Sequence, residues 1–371
     1  MRIAILTQPL HNNYGGLLQA FALQKYLKTQ DHDVMTVDFA WNNKLRYFGI
    51  KSIIGNIIRK YFLRRELASI FPITDEQKRK IGQHTDRFSA EHIRTTQKIY
   101  SVDEMSYIKN YQFDAYIVGS DQVWRPAYSP GMSAFFLSFL NKSDDAKRIA
   151  YAASFGIDNC NEFSQQALTE YAALLKQFDA VAVREDSAVD LCKQHFGVVA
   201  EHVLDPTFLL DKEVYIQLVE QDKCPASNGN MMVYVLDKSL DKKEVIQAVA
   251  NERGLTPYTV MPDKQGVYPP VTQWIRGFMD AEYVVTDSFH GVAFSIIFNK
   301  PFIAIGNHNR GLARFTSILK MFGLQDRLIF SINELTSQLI NQPIDFSQVN
   351  QLKIDKQKLA MNFLNQALLG K

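Results

Sequence analysis

Short apolar runs that end on Gly, Ser, Asp or Arg recur from one end of this chain to the other, alternating with stretches of helical period. "RIAILT" is followed by "GGLLQAFALQKYLKTQ", and "HDVMTVDF" comes next after a polar turn. The same kind of run returns in "FDAYIVGSDQVW" (113–124), "AKRIAYAASFG" (146–156) and "FDAVAVRED" (178–186). Apolar, β-branched strands separated by helices build parallel sheets covered on both faces. Ligands of such open α/β sheets bind at the carboxyl ends of the strands. A second series, "MMVYVLD", "KKEVIQAVANERG", "AEYVVTD", "KPFIAI" and "LARFTSILKMFGL", follows "EHVLDPTFLL" (201–210), where Asp205-Pro206 breaks any regular element. The alternation predicts an α/β protein of two doubly wound domains facing across a cleft. The expected boundaries are 1–203, with an insertion over 44–98, and 204–350. A tail over 351–371, helical from Asp355 to Leu369, is expected to return across the first domain.

With 371 residues, 46% apolar and 22% charged, the chain has enough apolar material for two cores. Its net charge of +2 gives no reason to expect a nucleic-acid partner. Cys160, Cys192 and Cys224 show no metal-ligand spacing and read as reduced structural thiols of a cytoplasmic protein. The opening "MRIAILTQPL" reads as a strand rather than a signal peptide, and no run approaches the roughly 18 apolar residues of a membrane span.

One stretch breaks the pattern. "KLRYFGIKSIIGNIIRKYFLRR" (44–65) carries seven basic residues and no acidic one, interleaved with aromatic and aliphatic side chains. It reads either as a helix lying on an anionic membrane or as a helical excursion packed on its own domain with solvated cations.

Five strand ends carry chemistry-bearing residues. In "HNNYGGLLQA" (11–20) two glycines sit between a strand and a helix start, where backbone amides face a ligand or merely make a tight turn. The spacing is that of neither a dinucleotide fingerprint nor a P-loop. "VGSDQVWRP" (118–126) places Asp121 where it caps the next turn or reaches a ligand. Arg184, in "VAVREDSAVD" (181–190), either clamps a carboxylate or phosphate or forms a salt bridge with Glu185, Asp186 or the other domain. "GNHNRGLARFTSIL" (306–319) gathers His308, Arg310 and Arg314 at a helix start, where cations oppose the macrodipole and call for an anion. The fifth is "TDSFHGVAFSIIFNKPFIAI" (286–305), with a short helix expected from about Val292. There His290, beside free amides and Gly291, is either a proton-transfer group or a core histidine bonded to a carbonyl. No HExxH, nucleophile elbow or Cys/His metal set competes with it, and no metal is expected.

Taken together, "NNYGGLLQAFALQKYL", "YIVGSDQVWRP", "YAASFG", "VAVREDS", "VLDPTFLL", "TDSFHGVAFSIIFNKPFIAI" and "ARFTSILKMFGL" resemble, in order, the polysaccharide pyruvyl transferase family. The resemblance implies two Rossmann-like domains arranged as in GT-B glycosyltransferases. It also implies transfer of pyruvate from phosphoenolpyruvate, a co-substrate with no further cofactor, to two hydroxyls of a sugar as a cyclic ketal. The acceptor would be a surface or capsular glycan or its lipid-linked precursor, met at the inner face of the membrane with 44–65 as a peripheral contact. His290 would be the acid that protonates the donor's methylene carbon, or an acid/base shuttle. Donor oxygens would be held by Arg184, by Arg310 and Arg314, and by the turn at Ser288, Phe289 and Gly291. The acceptor would meet Asn12, Asn13, Tyr14 and Gly15, with Asp121 deprotonating or hydrogen-bonding a hydroxyl. Many relatives carry an arginine two residues before the histidine, where this chain has Ser288. The competing readings are a GT-B glycosyltransferase using a nucleotide sugar, and a non-catalytic sugar- or anion-binding descendant of that scaffold.

Overall fold

The apolar runs pair as their pattern requires. The computed structural model describes residues 1–40, 74–306 and 311–370. β1 (Arg2–Leu6), β2 (Asp33–Thr36), β3 (Ala115–Val118), β4 (Lys147–Ala153), β5 (Ala180–Val183) and β6 (Glu201–His202) form one parallel sheet in the order β2-β1-β3-β4-β5-β6. β7 (Met231–Tyr234), β8 (Pro257–Tyr258), β9 (Tyr283–Thr286), β10 (Phe302–Ile305) and β11 (Leu328–Ile329) form a second, ordered β11-β10-β9-β7-β8 and also parallel. Counted from its own first strand, the first sheet runs 2-1-3-4-5-6 and the second 2-1-3-4-5. That is a doubly wound order whose direction reverses between its first and third strands.

Helices α1 (Tyr14–Thr29), α2 (Asp75–His92), α3 (Gln165–Leu175) and α4 (Asp186–Leu191) accompany the first sheet. α5 (Lys212–Gln221), α6 (Leu240–Arg253), α7 (Val271–Asp280), α8 (Phe289–Ile297) and α9 (Leu312–Phe322) accompany the second, followed by α10 (Ser337–Asn341) and α11 (Phe346–Leu369). Strand side chains alternate between faces, and the cores follow that period. Ile3, Ile5 and Ile117 of the first sheet, with Met232, Val284 and Phe302 of the second, join one core shared by both domains. Ala4, Leu6 and Val118 fill a core on the first sheet's other face, and Met231, Val233 and Val285 do so for the second.

α1 lies in the shared core and is apolar on nearly every side, so its buried polar groups need partners. Gln19 donates to Thr7 Oγ1 at 2.8 Å and accepts from the Ser120 amide at 3.2 Å, tying α1 to the ends of β1 and β3. α11 returns across the first domain, with Lys147 Nζ donating to the Ala367 carbonyl at 3.1 Å and Phe363 packed near Tyr151. It begins at Phe346, earlier than the expected Asp355, because the Asp345 side chain caps the Ser347 and Gln348 amides.

The domains are tied on both flanks of the cleft. Arg87 of α2 forks onto Asp222 with two 2.8 Å bonds, and the Tyr14 hydroxyl donates to the Pro269 carbonyl at 2.9 Å. On the other flank the Asp186 amide donates to Ser317 Oγ of α9 at 2.9 Å. The basic stretch 44–65 lies outside the described residues. Among those that are described, no helix is long and apolar enough to cross a membrane. Cys160 and Cys192 are buried free thiols and Cys224 is half-buried.

Candidate active site

A cavity of about 460 Å³ opens where the two sheets present the carboxyl ends of their reversal strands to each other. The segments after β1 and β3 contribute Asn12, Asn13, Tyr14 and Asp121. Those after β7 and β9 contribute Tyr234 and the run Asp287–His290, and α9 adds Arg314. Both topological switch points therefore serve one site.

His290 belongs to the first turn of α8, which starts at Phe289 rather than near the expected Val292. The loop before it is pinned by Asp287, whose carboxylate accepts from the Leu236 and Asp237 amides at 2.7 and 3.1 Å and from Lys242 Nζ at 2.6 Å. Thr286 Oγ1 donates to the Tyr234 carbonyl at 2.8 Å and accepts from the Ser288 amide at 3.1 Å. A Cβ on Gly291 would lie 2.1 Å from that hydroxyl, so Gly291 is required for close packing and does not line the cavity.

The imidazole is only 6% exposed, and its seat comes from the other domain. A Cβ on Gly15 would stand 2.0, 2.2 and 2.6 Å from His290 Nδ1, Cγ and Cε1. Such similar distances to three ring atoms mean that Gly15 packs on the face of the ring, not on its edge. Gly15 makes room for the histidine. At the far edge Nε2 is buried, has no hydrogen-bond partner among the described residues, and lies 3.7 Å from Asp205 Oδ2. The reading of His290 as a core residue bonded to a carbonyl finds no such bond at Nε2.

Arg184 does not line the cavity. Its Nη1 donates to Asp205 Oδ2 at 2.9 Å and its Nη2 to Asp121 Oδ1 at 3.1 Å. Nε lies 3.6 Å from Glu185 Oε1, and the guanidinium stacks 4.5 Å over the Phe289 ring. The described contacts of Arg184 are thus salt bridges, since carboxylates buried this deeply need a paired cation. Burial opposes that cation's charge, but Asp121, Glu185 and Asp205 raise its pKa nonetheless. Burial also pushes the Asp121 and Asp205 carboxyls upward, and the surrounding cations outweigh it. Asp121 is lowered by Arg184, His290 and Arg314, and Asp205 by His290 and Arg184 with the Thr207 amide. Glu185 behaves oppositely: burial dominates and its pKa is raised, although Arg184 and a hydrogen bond from Ser154 Oγ oppose the shift. Arg314 does reach the cavity, its pKa pushed down to about 10 by burial and then by the charge of Arg184.

The remaining expected residues divide. Ser288 and Phe289 line the cavity. Asn12, Asn13 and Tyr14 line it too, but each is engaged in structure. Asn12 Oδ1 accepts from Thr85 Oγ1 at 2.5 Å, Asn13 caps α1 through the Gly16 amide, and Tyr14 stacks on Trp274. Arg310 and His308 lie outside the described residues. Among those described, no group of three or more His, Cys, Asp or Glu side chains is placed to hold a metal ion.

Sequence reasoning passed over Asp205, Tyr128, Tyr234 and Tyr268. Asp205 was legible only as a chain breaker before Pro206. Its Oδ1 does cap the next turn, accepting from the Thr207 amide and hydroxyl at 3.0 and 2.8 Å, while Oδ2 faces Arg184 and His290.

Two Rossmann-like domains with one cleft site at both switch points give the arrangement of the GT-B fold. UDP-N-acetylglucosamine 2-epimerase from Rickettsia bellii shares that fold, with a TM-score of 0.50 at 9% identity over 99% of this chain and 97% of its own. The UDP-GlcNAc 2-epimerase of Methanocaldococcus jannaschii gives 0.50 at 10% identity over 95% and 91%. No curated protein matches the chain by sequence. The model of the polysaccharide pyruvyl transferase family matches residues 13–309, and the chain belongs to that family.

Proposed function

We propose that this protein transfers pyruvate from phosphoenolpyruvate to two hydroxyls of a sugar residue, forming a ketal on a surface glycan or its lipid-linked precursor. One observation carries the reading. A histidine seated by the opposite domain shares the cleft cavity with Arg314, an arginine whose charge burial opposes. Such an arginine favours an anionic ligand, and an imidazole beside it suits a reaction that moves a proton while an anion is held.

In this reading the His290 imidazolium gives a proton to the methylene carbon, leaving C2 as an oxocarbenium centre. A sugar hydroxyl adds to C2 and its proton returns to the neutral imidazole. The C2–O bond to phosphate then breaks, a second hydroxyl closes the ring, and its proton leaves with the phosphate. Arg314 holds donor oxygens, and no metal is required for the steps written. Asp121, its carboxyl held low and bonded to Arg184, is a weak base, so it orients a hydroxyl rather than deprotonating it. Ser288 adds no charge, which leaves Arg314 as the arginine lining the cavity among the described residues. A cytoplasmic enzyme working at the inner membrane face completes the proposal. The epimerases that share the fold are named for UDP-GlcNAc, and a nucleotide-sugar reaction is the outcome the test must separate.

Titration calorimetry compares phosphoenolpyruvate with a uridine nucleotide on wild type, His290→Ala and Arg314→Ala. The proposal expects phosphoenolpyruvate to bind wild type and His290→Ala comparably and Arg314→Ala weakly. Binding of the nucleotide alone sinks it.

A further inference from the structure

His290 has one nitrogen in the dark. Nε2 has no contact with solvent and no hydrogen-bond partner among the described residues, and the carboxylate oxygen at 3.7 Å belongs to Asp205. Buried ring nitrogens are seldom left without a bond, and hydrogen bonds that matter in a reaction are often long before ligand arrives. Asp205 is built to stay in place and stay charged. It is itself 2% exposed, Oδ1 is fixed by two bonds from Thr207, and Oδ2 takes the 2.9 Å bond from Arg184 and a longer one from Ser120 Oγ at 3.4 Å. The other ring nitrogen, Nδ1, is differently placed. Gly15 covers the ring's face, which leaves the in-plane direction of Nδ1 unobstructed by that residue.

We propose that Asp205 is the positioning residue of this site: it receives the Nε2–H of His290, so that Nδ1 is the nitrogen that exchanges a proton with bound ligand. Arg184 takes part as the strut that holds Asp205 and Asp121 in register. An imidazolium with both protons gives the Nδ1 proton to the ligand and remains as the neutral Nε2–H tautomer facing Asp205. Recovery of a proton at Nδ1 restores the starting form, so the proton balance closes within the site. The idea rests on the proton-transfer role of His290 proposed above. It adds which nitrogen acts and what holds the ring.

Long-range proton–nitrogen spectra of histidine-15N-labelled protein test it, with the His290 signals assigned by their loss in His290→Gln. Wild type should show neutral His290 as the Nε2–H tautomer. An Nδ1–H tautomer there overturns the proposal without any variant that might fail to fold. Folded Asp205→Asn should redistribute the tautomers, and an unchanged pattern overturns the proposal as well. Asp205→Asn should also keep its phosphoenolpyruvate Kd within about threefold while turnover, followed as phosphate release, drops between about 10²- and 10⁴-fold. A loss of affinity that matches the loss of rate would make Asp205 a donor ligand instead. If phosphoenolpyruvate fails to bind even wild type, the donor reading fails while the tautomer result still decides this one.

Discussion

Replacing Gly15 with alanine tests the seat of His290 without any substrate. Gly15 lies in the first turn of α1, where alanine for glycine gains up to about 1 kcal/mol from the unfolded chain's lost freedom. The new methyl would stand 2.0 Å from Nδ1, and ordinary contact begins near 3.4 Å. The ring must therefore withdraw by about 1.4 Å, an overpacking that costs about 1–3 kcal/mol in a well-filled interior. The clash outweighs the helix gain, so Gly15→Ala should lower wild-type stability by about 1 kcal/mol, or about 2–4 °C in Tm for a domain of this size. In a His290→Ala background the methyl meets no ring, and the same change should be neutral or stabilising. Denaturant or thermal melts of the four proteins close a double-mutant cycle with a coupling of about 1–3 kcal/mol. An equal effect in both backgrounds, or a stabilised single variant, would refute the packing argument.

Other expectations follow from the same geometry. Arg184→Ala leaves Asp121 and Asp205 buried without their cation, so it should cost about 3–5 kcal/mol of stability; a folded variant with the wild-type Tm contradicts the strut role. Arg314→Ala should raise the phosphoenolpyruvate Kd about 10- to 100-fold, the worth of a lost charge-assisted bond, as read by calorimetry. The depressed carboxyls of Asp121 and Asp205 contribute stability that is complete above their unfolded values near 4 and lost as pH falls through the folded ones. Asp205→Asn should accordingly flatten the acid limb of a denaturation-midpoint profile. Glu185 runs the other way: its raised value gives stability present below about pH 4.3 and lost as pH rises through the folded value. Glu185→Gln removes the contribution that offsets the aspartates, so it should widen the stability gap between acid and neutral pH, and a narrower gap counts against the assignment.

The strands and their chemistry-bearing ends were legible because apolar period and strand-end polarity are local properties. The helix at Leu312 and the returning tail were legible for the same reason. The start of α8 was placed too late, since Ser288 caps it without a side-chain bond and "SFHG" carries no start signal. The partners of Arg184 and His290 were beyond reach. Asp205 meets Asp121's arginine only after four strands have been laid side by side, and nothing in "VLDPTFLL" distinguishes a cap from a cap that also faces the site. Gly15 shows the same limit. A glycine pair at a helix start signals exposed amides, and only the fold reveals that a ring from the other domain lies against one of them.

That last contact has a consequence for how the molecule can turn over. The ring travels with one domain and its seat with the other, and Arg87–Asp222 and Asp186–Ser317 are the clasps between them. On the proposed reading of His290 as the acid, any motion that parts the domains to admit an acceptor also lifts that acid out of its socket. On that reading, donor caught in the open form has no proton source aligned with it, and reactivity returns only as the halves meet. The cleft is thus its own safety catch: the opening that loads it is the opening that disarms it.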